Sequence, residues 1–302
     1  MKSEKVNDMK KILVLGGTNF FGKKAVQLLL DKGYEVTVAT RGNNPIPFEG
    51  KVQHIVLDAS DSLHAGWQAV QAQQWDAVFD NICYNAEDAH IRIEKLGQQL
   101  KHYYFTSSLA TYMGDKDGYV EADFNPLTYE INPHKTVDYG EGKRQAEQVL
   151  FTQAPFQVTA FRFPIVLDND DYTKRLHSYV DKALKHETIQ FNNPDAKINF
   201  VKGSSAANAI VWAIENEQAG SFNISSHDAI TRQTFIEWLE EMTGQTIKVD
   251  YTDETITGSP FNTRHHWYLN SDKIAEAGFQ LDDLASWLKP LMKDLSDEMR
   301  VQ

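Results

Sequence analysis

The chain opens on an alternation of two hydrophobic patterns. Ile12-Leu13-Val14-Leu15 is a continuous apolar run, the mark of a strand buried on both faces. Ala25, Leu28 and Leu29 then recur at helical spacing, and Gly33 closes that segment. Val36-Thr37-Val38-Ala39 and His54-Ile55-Val56-Leu57 read as the second and third strands. Helices expected over 62–73, 87–100 and 137–152 lead to strands at 77–79, 103–105 and 158–161. Parallel strands need crossover connections, so this rhythm predicts an α/β protein with a parallel sheet covered on both faces. Right-handed crossovers make the sheet doubly wound.

After Pro164 the rhythm breaks. An acidic turn at Asp168-Asn169-Asp170-Asp171 precedes a helix expected over 172–184 and a short strand over 198–201. Ala206, Ala209, Ile210 and Ala213 share one face of a helix over 204–216. Ser221-Phe222-Asn223-Ile224 reads as a strand returning to the sheet. Thr231 is placed as the N-cap of a helix through Met242, and 281–295 as a last amphipathic helix. The expected organisation is one domain over 9–165, with 203–225 returning to it. A smaller, mostly C-terminal lobe comprises 166–202 and 226–302, and residues 1–8 form a flexible polar extension.

Composition narrows the function classes. Hydrophobic residues make up 41% of the chain, enough to bury a core, so disorder is not expected. A net charge of −12 counts against a nucleic-acid partner and against anionic membranes. Cys83 is the single cysteine, so no intrachain disulfide forms. No apolar run is long enough to cross a bilayer, and the polar start lacks a signal-peptide core. A cytoplasmic location is the expectation.

The loop Gly16-Gly17-Thr18-Asn19-Phe20-Phe21-Gly22 lies between a strand and a helix, the context of a Rossmann dinucleotide loop. Gly16 permits a tight turn and Gly22 close packing of helix on strand. The helix N-terminus offers N–H groups and a positive dipole end to a pyrophosphate. Asn19 occupies the middle glycine position; it tolerates positive φ, and its side chain can donate to a phosphate. The second strand ends in Thr40-Arg41-Gly42, without the acidic residue that binds a ribose 2′-OH. Arg41 can pair with a 2′-phosphate or stack on adenine, so NADP is favoured over NAD; the competing reading is a solvated arginine. In Leu57-Asp58-Ala59-Ser60-Asp61, the Asp58 carboxylate can accept from an adenine amino group or cap a helix.

Tyr139 and Lys143 are four apart at the start of a helix and share a face. A nearby ammonium favours the phenolate, which suits Tyr139 to acid–base work on an alcohol or carbonyl that exchanges hydride with nicotinamide. A hydroxyl from Ser107-Ser108 would hold the substrate oxygen. The plain alternative is a solvated helix face, and Gly140 and Gly142 weaken the helix start. His227, His265 and His266 lack metal-ligand spacing, so no metal is expected. Cys83 reads as buried. Arg175 and Lys202 either meet an anionic substrate group or are surface charges.

In combination these motifs resemble an extended or atypical short-chain dehydrogenase/reductase of the NAD-dependent epimerase/dehydratase superfamily. The Gly-rich loop, Leu57 to Asp61, the stretch Phe105-Thr106-Ser107-Ser108-Leu109-Ala110-Thr111-Tyr112, and Tyr139 with Lys143 follow the family's order, and Arg162-Phe163-Pro164 is similar to its Arg-Pro. The likeness covers about residues 10 to 245. It implies an NAD(P)-dependent oxidoreductase, epimerase or dehydratase acting on a small polar substrate such as a sugar nucleotide, bound by the second lobe. Tyr139 is then the acid/base, Lys143 binds the nicotinamide ribose, and Ser108 orients the substrate, with Thr111 as fallback. Gly16 through Gly22, Thr40, Arg41, Asp58, Ala59 and Lys143 would hold the cofactor. Family members often dimerise through the long helices flanking the sheet. The chain departs from the family at Asn19, at Asp80-Asn81-Ile82-Cys83-Tyr84-Asn85, usually apolar and Ala-rich, and at 168–171. Two alternatives follow: a redox-silent dinucleotide-binding regulator, and an RNA-binding protein like those of the chloroplast stem-loop-binding branch, which shares the Gly-Gly-Thr loop.

Overall fold

The computed structural model describes residues 10–48, 50–97 and 100–301. The extension expected over 1–8 lies outside them. Strand β1 (Lys11–Leu15) runs into helix α1 (Phe20–Asp31), followed by β2 (Glu35–Thr40), β3 (Gln53–Val56), α2 (Gly66–Gln71), β4 (Ala77–Asp80), α3 (Ala86–Leu96), β5 (His102–Ser108), α4 (Tyr139–Gln153) and β6 (Gln157–Phe163). The chain continues through β7 (Ile165–Leu167), α5 (Arg175–Leu184), β8 (Ile189–Phe191), β9 (Lys197–Ile198), β10 (Phe200–Lys202), α6 (Gly203–Glu215) and β11 (Gly220–Asn223). It ends with β12 (Ile230–Thr231), α7 (Arg232–Thr243), β13 (Val249–Tyr251), α8 (Asp272–Glu276) and α9 (Leu284–Val301).

Seven strands form the main sheet in the order β11-β6-β5-β4-β1-β2-β3. Strand β1 pairs in parallel with both β2 and β4, so the winding direction reverses between β1 and β4. In a doubly wound sheet, ligands bind outside the carboxyl ends of the strands at such a reversal. The expected return of the chain near 221–224 is present as β11, beside β6.

Two compact units divide the chain. The first takes the described residues within Met1–Thr111, Asn125–Phe161 and Ala207–Ser221. Its core contains Leu13 and Leu15 of β1, Val78 of β4, Tyr103 and Phe105 of β5, and Ala146, Val149 and Leu150 of α4. The second unit takes the described residues within Tyr112–Phe124, Arg162–Ala206 and Phe222–Gln302. Its core gathers Tyr179, Phe191, Phe235 and Phe261 with Leu288 and Met292 of α9. The Tyr179 and Phe261 rings stack with centroids 4.7 Å apart, and the Tyr179 hydroxyl accepts from Phe261 N at 3.0 Å. An aromatic cluster with its polar tip satisfied fixes this core geometrically as well as by burial.

Some elements depart from the sequence pattern. The helix expected over 62–73 is shortened to α2, because Asp61 Oδ1 accepts from Leu63 N and holds the preceding segment in a turn. The strand expected over 198–201 is two strands, β9 and β10, parted at Asn199, whose amide donates to Ser225 Oγ and the Leu269 carbonyl. Strands β7, β8 and β13 carry too few residues for a periodic signal and exist through pairing with distant partners, β7 with β10 and β8 with β13. Thr231 caps α7 as expected, accepting from Thr234 N at 3.0 Å.

One buried group in the first unit makes stability depend on pH. His102 is 5% exposed, with ring nitrogens 2.7 Å from Thr159 Oγ1 and 3.0 Å from Tyr104 Oη. Thr159 donates to the Gln218 carbonyl, so it accepts the imidazole proton, and Tyr104 donates to Nδ1. Burial pushes the His102 pKa down to about 4. The folded pKa lies below the unfolded value, so the unfolded chain binds the extra proton across the interval between them. Stability should therefore fall as pH is lowered from 6.5 to about 4, by about 3 kcal/mol. Urea unfolding at several pH values should show that slope, and His102→Gln should flatten it; an unchanged slope in the variant would assign the effect elsewhere.

Candidate active site

The Gly-rich loop leaves the end of β1 through two left-handed residues, Gly16 at φ 87° and Gly17 at φ 76°. A Cβ at Gly17 would collide with Val14 Cγ1, so only glycine fits there. A Cβ at Gly22 would lie 3.0 Å from Asn81 Nδ2 and 3.2 Å from Gly17 Cα, so the close approach there is to the loop after β1 and the residue after β4 rather than to a strand. Asn19 departs from expectation. It is extended at φ −135° and caps α1, its Oδ1 accepting from Phe20 N at 2.9 Å. A capping residue needs β-region backbone, so the positive φ passes to Phe20, at 48°. Burial of the Phe20 ring, packed edge-on against Phe21, sustains that uncommon conformation.

The carboxyl ends of β1, β2 and β3 open into a cleft of about 330 Å³. Gly16 and Thr18 line it from the loop, Thr40 and Arg41 from the end of β2, Asp58, Ala59 and Ser60 from beyond β3, and Ile82 and Tyr84 from beyond β4. Six of the cofactor residues expected from sequence therefore share this cleft: Gly16, Thr18, Thr40, Arg41, Asp58 and Ala59. Gly17, Phe20 and Gly22 are buried, and with Asn19 and Phe21 they shape the loop without lining the cleft. Asp58 does not cap a helix. Its Oδ1 accepts from Ser60 N at 3.2 Å, and α2 begins after Ala65, which makes no side-chain cap. A glycine turn at a helix N-terminus, a guanidinium and a carboxylate are the donor and acceptor set that a dinucleotide's phosphate, ribose and adenine require, so these residues fit that group.

The polar stretch after β4 has a structural reason. Asp80 is fully buried and accepts from Arg92 Nε at 2.8 Å, Tyr103 Oη at 2.7 Å and Ile82 N at 2.7 Å. Arg92, also fully buried, donates onward to the carbonyls of Ala59 and Ile82. The pair thus braces two cleft-lining segments from behind. Sequence reasoning missed it, because Asp80 and Arg92 sit on different elements with no shared periodicity. Cys83 is buried as expected, its thiol pushed up to about 12 by desolvation, which leaves it unreactive.

Helix α4 starts at Tyr139, with Asp138 as cap accepting from Glu141 N at 2.7 Å. Tyr139 is 55% exposed, whereas Lys143 is 1% exposed. Lys143 Nζ donates to the carbonyls of Cys83 at 2.7 Å and Thr106 at 2.6 Å. It lies 4.7 Å from the ring centroid of Tyr84 and 5.7 Å from that of Tyr139. Desolvation holds the Lys143 pKa below the ordinary lysine value. Ser108 ends β5, half-buried, its Oγ accepting from Ala110 N at 3.1 Å. Ser107 is buried and donates to Glu147 Oε1 at 2.5 Å. Thr111, the fallback for Ser108, is buried with its hydroxyl turned onto the Ser108 carbonyl at 2.9 Å.

The two glycines beside Tyr139 are a requirement of the packing, whatever they cost in helix propensity. A Cβ at Gly140 would stand 2.5 Å from the Ala110 carbonyl oxygen, and one at Gly142 2.5 Å from that of Tyr84. They let α4 press against the segments after β5 and β4, which brings Lys143 to its two carbonyls. Sequence reasoning also missed Glu141. It is buried and accepts from Tyr129 Oη, Lys135 Nζ, Arg144 and Gln145 Nε2. Burial alone would raise its pKa, but hydrogen bonds from Lys135, Tyr129, Gln145 and Arg144 hold it at about 2. This carboxylate fastens the residues ahead of α4 to the helix.

Among the described residues no group of three or more His, Cys, Asp or Glu could hold a metal ion. His265 lies beside Asp115 and His227 beside Asp228, all exposed. Arg175 opens α5 and Lys202 ends β10, both half-buried in the second unit. No helix among the described residues is long and apolar enough to cross a membrane.

A reversing parallel sheet, a Gly-rich turn at its switch point and a Tyr–Lys helix beside it define a dinucleotide-dependent class. The chain matches the model of the NAD dependent epimerase/dehydratase family over residues 12–225, and it belongs to that family. It is 31% identical over 117 residues to the chloroplast stem-loop binding protein of 41 kDa b of Arabidopsis thaliana, an alignment covering 34% of this chain and 30% of that protein. The fold is shared with the UDP-glucose 4-epimerase of Thermotoga maritima solved with UDP-glucose, at TM-score 0.70 and 18% identity over 96% of this chain and 99% of that one. It is also shared with the UDP-glucose 4-epimerase of Thermus thermophilus in complex with NAD, at TM-score 0.68 and 15% identity over 96% and 99%.

Proposed function

We propose that this protein is an NAD(P)-dependent enzyme of the epimerase/dehydratase type acting on a sugar nucleotide, with the dinucleotide held in the β1–β2–β3 cleft and Tyr139, Lys143 and Ser108 serving the chemistry. The observation that carries the reading is the pairing of that cleft with a buried lysine beside an exposed tyrosine at the start of α4. The solved UDP-glucose 4-epimerases of the same fold support the substrate class.

When bound, the nicotinamide supplies a hydride acceptor and donor. Lys143 has three N–H donors, of which Cys83 and Thr106 carbonyls take two, leaving one for a ribose hydroxyl. Tyr139 Oη takes the proton of the substrate hydroxyl as its carbon is oxidised and returns it when the carbonyl is reduced. Ser108 Oγ donates to the same substrate oxygen. In an epimerisation the two half-reactions cancel, so no external oxidant or reductant is consumed.

Arg41 supports NADP over NAD, because it lines the cleft at the end of β2 and no acidic residue at that strand end does. Parallel calorimetric titrations should show tighter binding of NADPH than NADH. Arg41→Ala should erase the preference by weakening NADPH about 10- to 100-fold, the worth of a charge-assisted contact to phosphate. Tighter NADH binding by the wild type would overturn the NADP assignment, and binding of neither would overturn the cleft. The identity with the stem-loop binding protein favours RNA binding as the second reading; salt-sensitive retention of RNA by the purified protein would bring it forward.

A further inference from the structure

We infer that Tyr84 positions the nicotinamide half of the dinucleotide, as an aromatic wall at the end of the cleft opposite Arg41; the inference rests on the cleft reading above. The cleft has a chemical polarity. Arg41 and Asp58 mark the end suited to a phosphorylated adenosine, and Gly16 and Thr18 the middle suited to the pyrophosphate. Tyr84 lines the same cleft with 46% of its surface exposed, and its ring lies 4.7 Å from the Lys143 ammonium, closer than the ring of Tyr139 at 5.7 Å. That places its ring where the group served by Lys143 must pass.

The backbone around Tyr84 is held from two sides. Tyr84 N donates to Asp88 Oδ2 at 2.8 Å, while Asp88 Oδ1 accepts from Ser60 Oγ, a hydroxyl from another cleft-lining residue. The neighbouring Cys83 carbonyl accepts from Lys143. Gly142 allows α4 to approach the Tyr84 carbonyl. A half-exposed aromatic ring on a backbone fixed this firmly is pre-organised to pack against a planar or ribosyl ligand. The same ring faces a cation, and cation–π attraction keeps ring and ammonium together.

The test compares two probes on three proteins. NADPH spans the whole cleft, whereas adenosine 2′,5′-bisphosphate reports only the Arg41 end. Tyr84→Ala should weaken NADPH about tenfold, the loss expected of one stacking contact, and leave adenosine 2′,5′-bisphosphate within about twofold. Tyr84→Phe should keep NADPH within about threefold of wild type, because the ring and not the hydroxyl carries the contact. Equal weakening of both probes in Tyr84→Ala would reduce Tyr84 to a structural residue and overturn the inference. So would an alanine variant that binds NADPH like wild type. Failure of the wild-type protein to bind either probe and NADH as well is a different outcome: it removes the cleft reading, and this inference with it.

Discussion

Tyr139→Phe is expected to lower kcat by about 10²- to 10⁴-fold, the range typical of a lost acid–base group. The change removes one oxygen atom from a side chain that is 55% exposed at the first residue of α4. Little packing is lost, and the thermal midpoint should stay within about 2 °C of wild type, as for most surface substitutions. Dinucleotide affinity should also hold, because the cleft residues lie on other elements and Lys143 keeps both carbonyl partners. The combination is diagnostic: lost turnover with retained fold and binding separates a chemical role from a structural one. The assay is turnover of a UDP-sugar panel by the purified protein with added NAD(H) or NADP(H). Once a substrate is found, a variant within tenfold of wild type would sink the Tyr139 assignment.

The second large effect concerns stability. Arg92→Leu should destabilise the first unit by about 3–5 kcal/mol, the usual cost of leaving one partner of a buried ion pair uncompensated. Asp80 would keep its hydrogen bonds from Tyr103 and Ile82 but lose the only guanidinium that pairs with it among the described residues. Arg92 also donates to the carbonyls of Ala59 and Ile82, so the variant should loosen the cleft walls and weaken dinucleotide binding. Urea unfolding measures the first effect and calorimetry the second. The double variant Asp80→Leu with Arg92→Leu should recover much of the loss, since it removes the orphaned charge as well. A single-variant cost below about 1 kcal/mol would place the pair in a wetter setting than its full burial indicates.

The legible and illegible parts of the site divide by distance along the chain. Gly16, Gly17 and Gly22 were readable because a tight turn between a strand and a helix needs glycine within a few residues of both. Tyr139 and Lys143 were readable because four residues make about one helical turn. Asp80 with Arg92 was not, since the partners lie twelve apart on a strand and a helix. Tyr84 drew notice only as a departure from a familiar pattern, and its nearness to Lys143 is set by the packing of α4. Gly140 and Gly142 were read by propensity alone for the same reason. Local propensity counts glycine against a helix, while the carbonyls of Ala110 and Tyr84 that exclude a Cβ come from elsewhere.

The sequence by itself determined the α/β alternation, the order of strands and helices through β6, the return at β11, the Gly-rich loop between β1 and α1, and the helix that carries Tyr139 and Lys143. Each is written in periodicity or spacing within about one element. Tertiary structure alone decided the short strands β7, β8 and β13 and the buried partners of Asp80 and Lys143. Those features depend on groups far apart in the chain. A buried charge or a Cβ-free contact is fixed by what folding brings against it, and no local pattern records that partner.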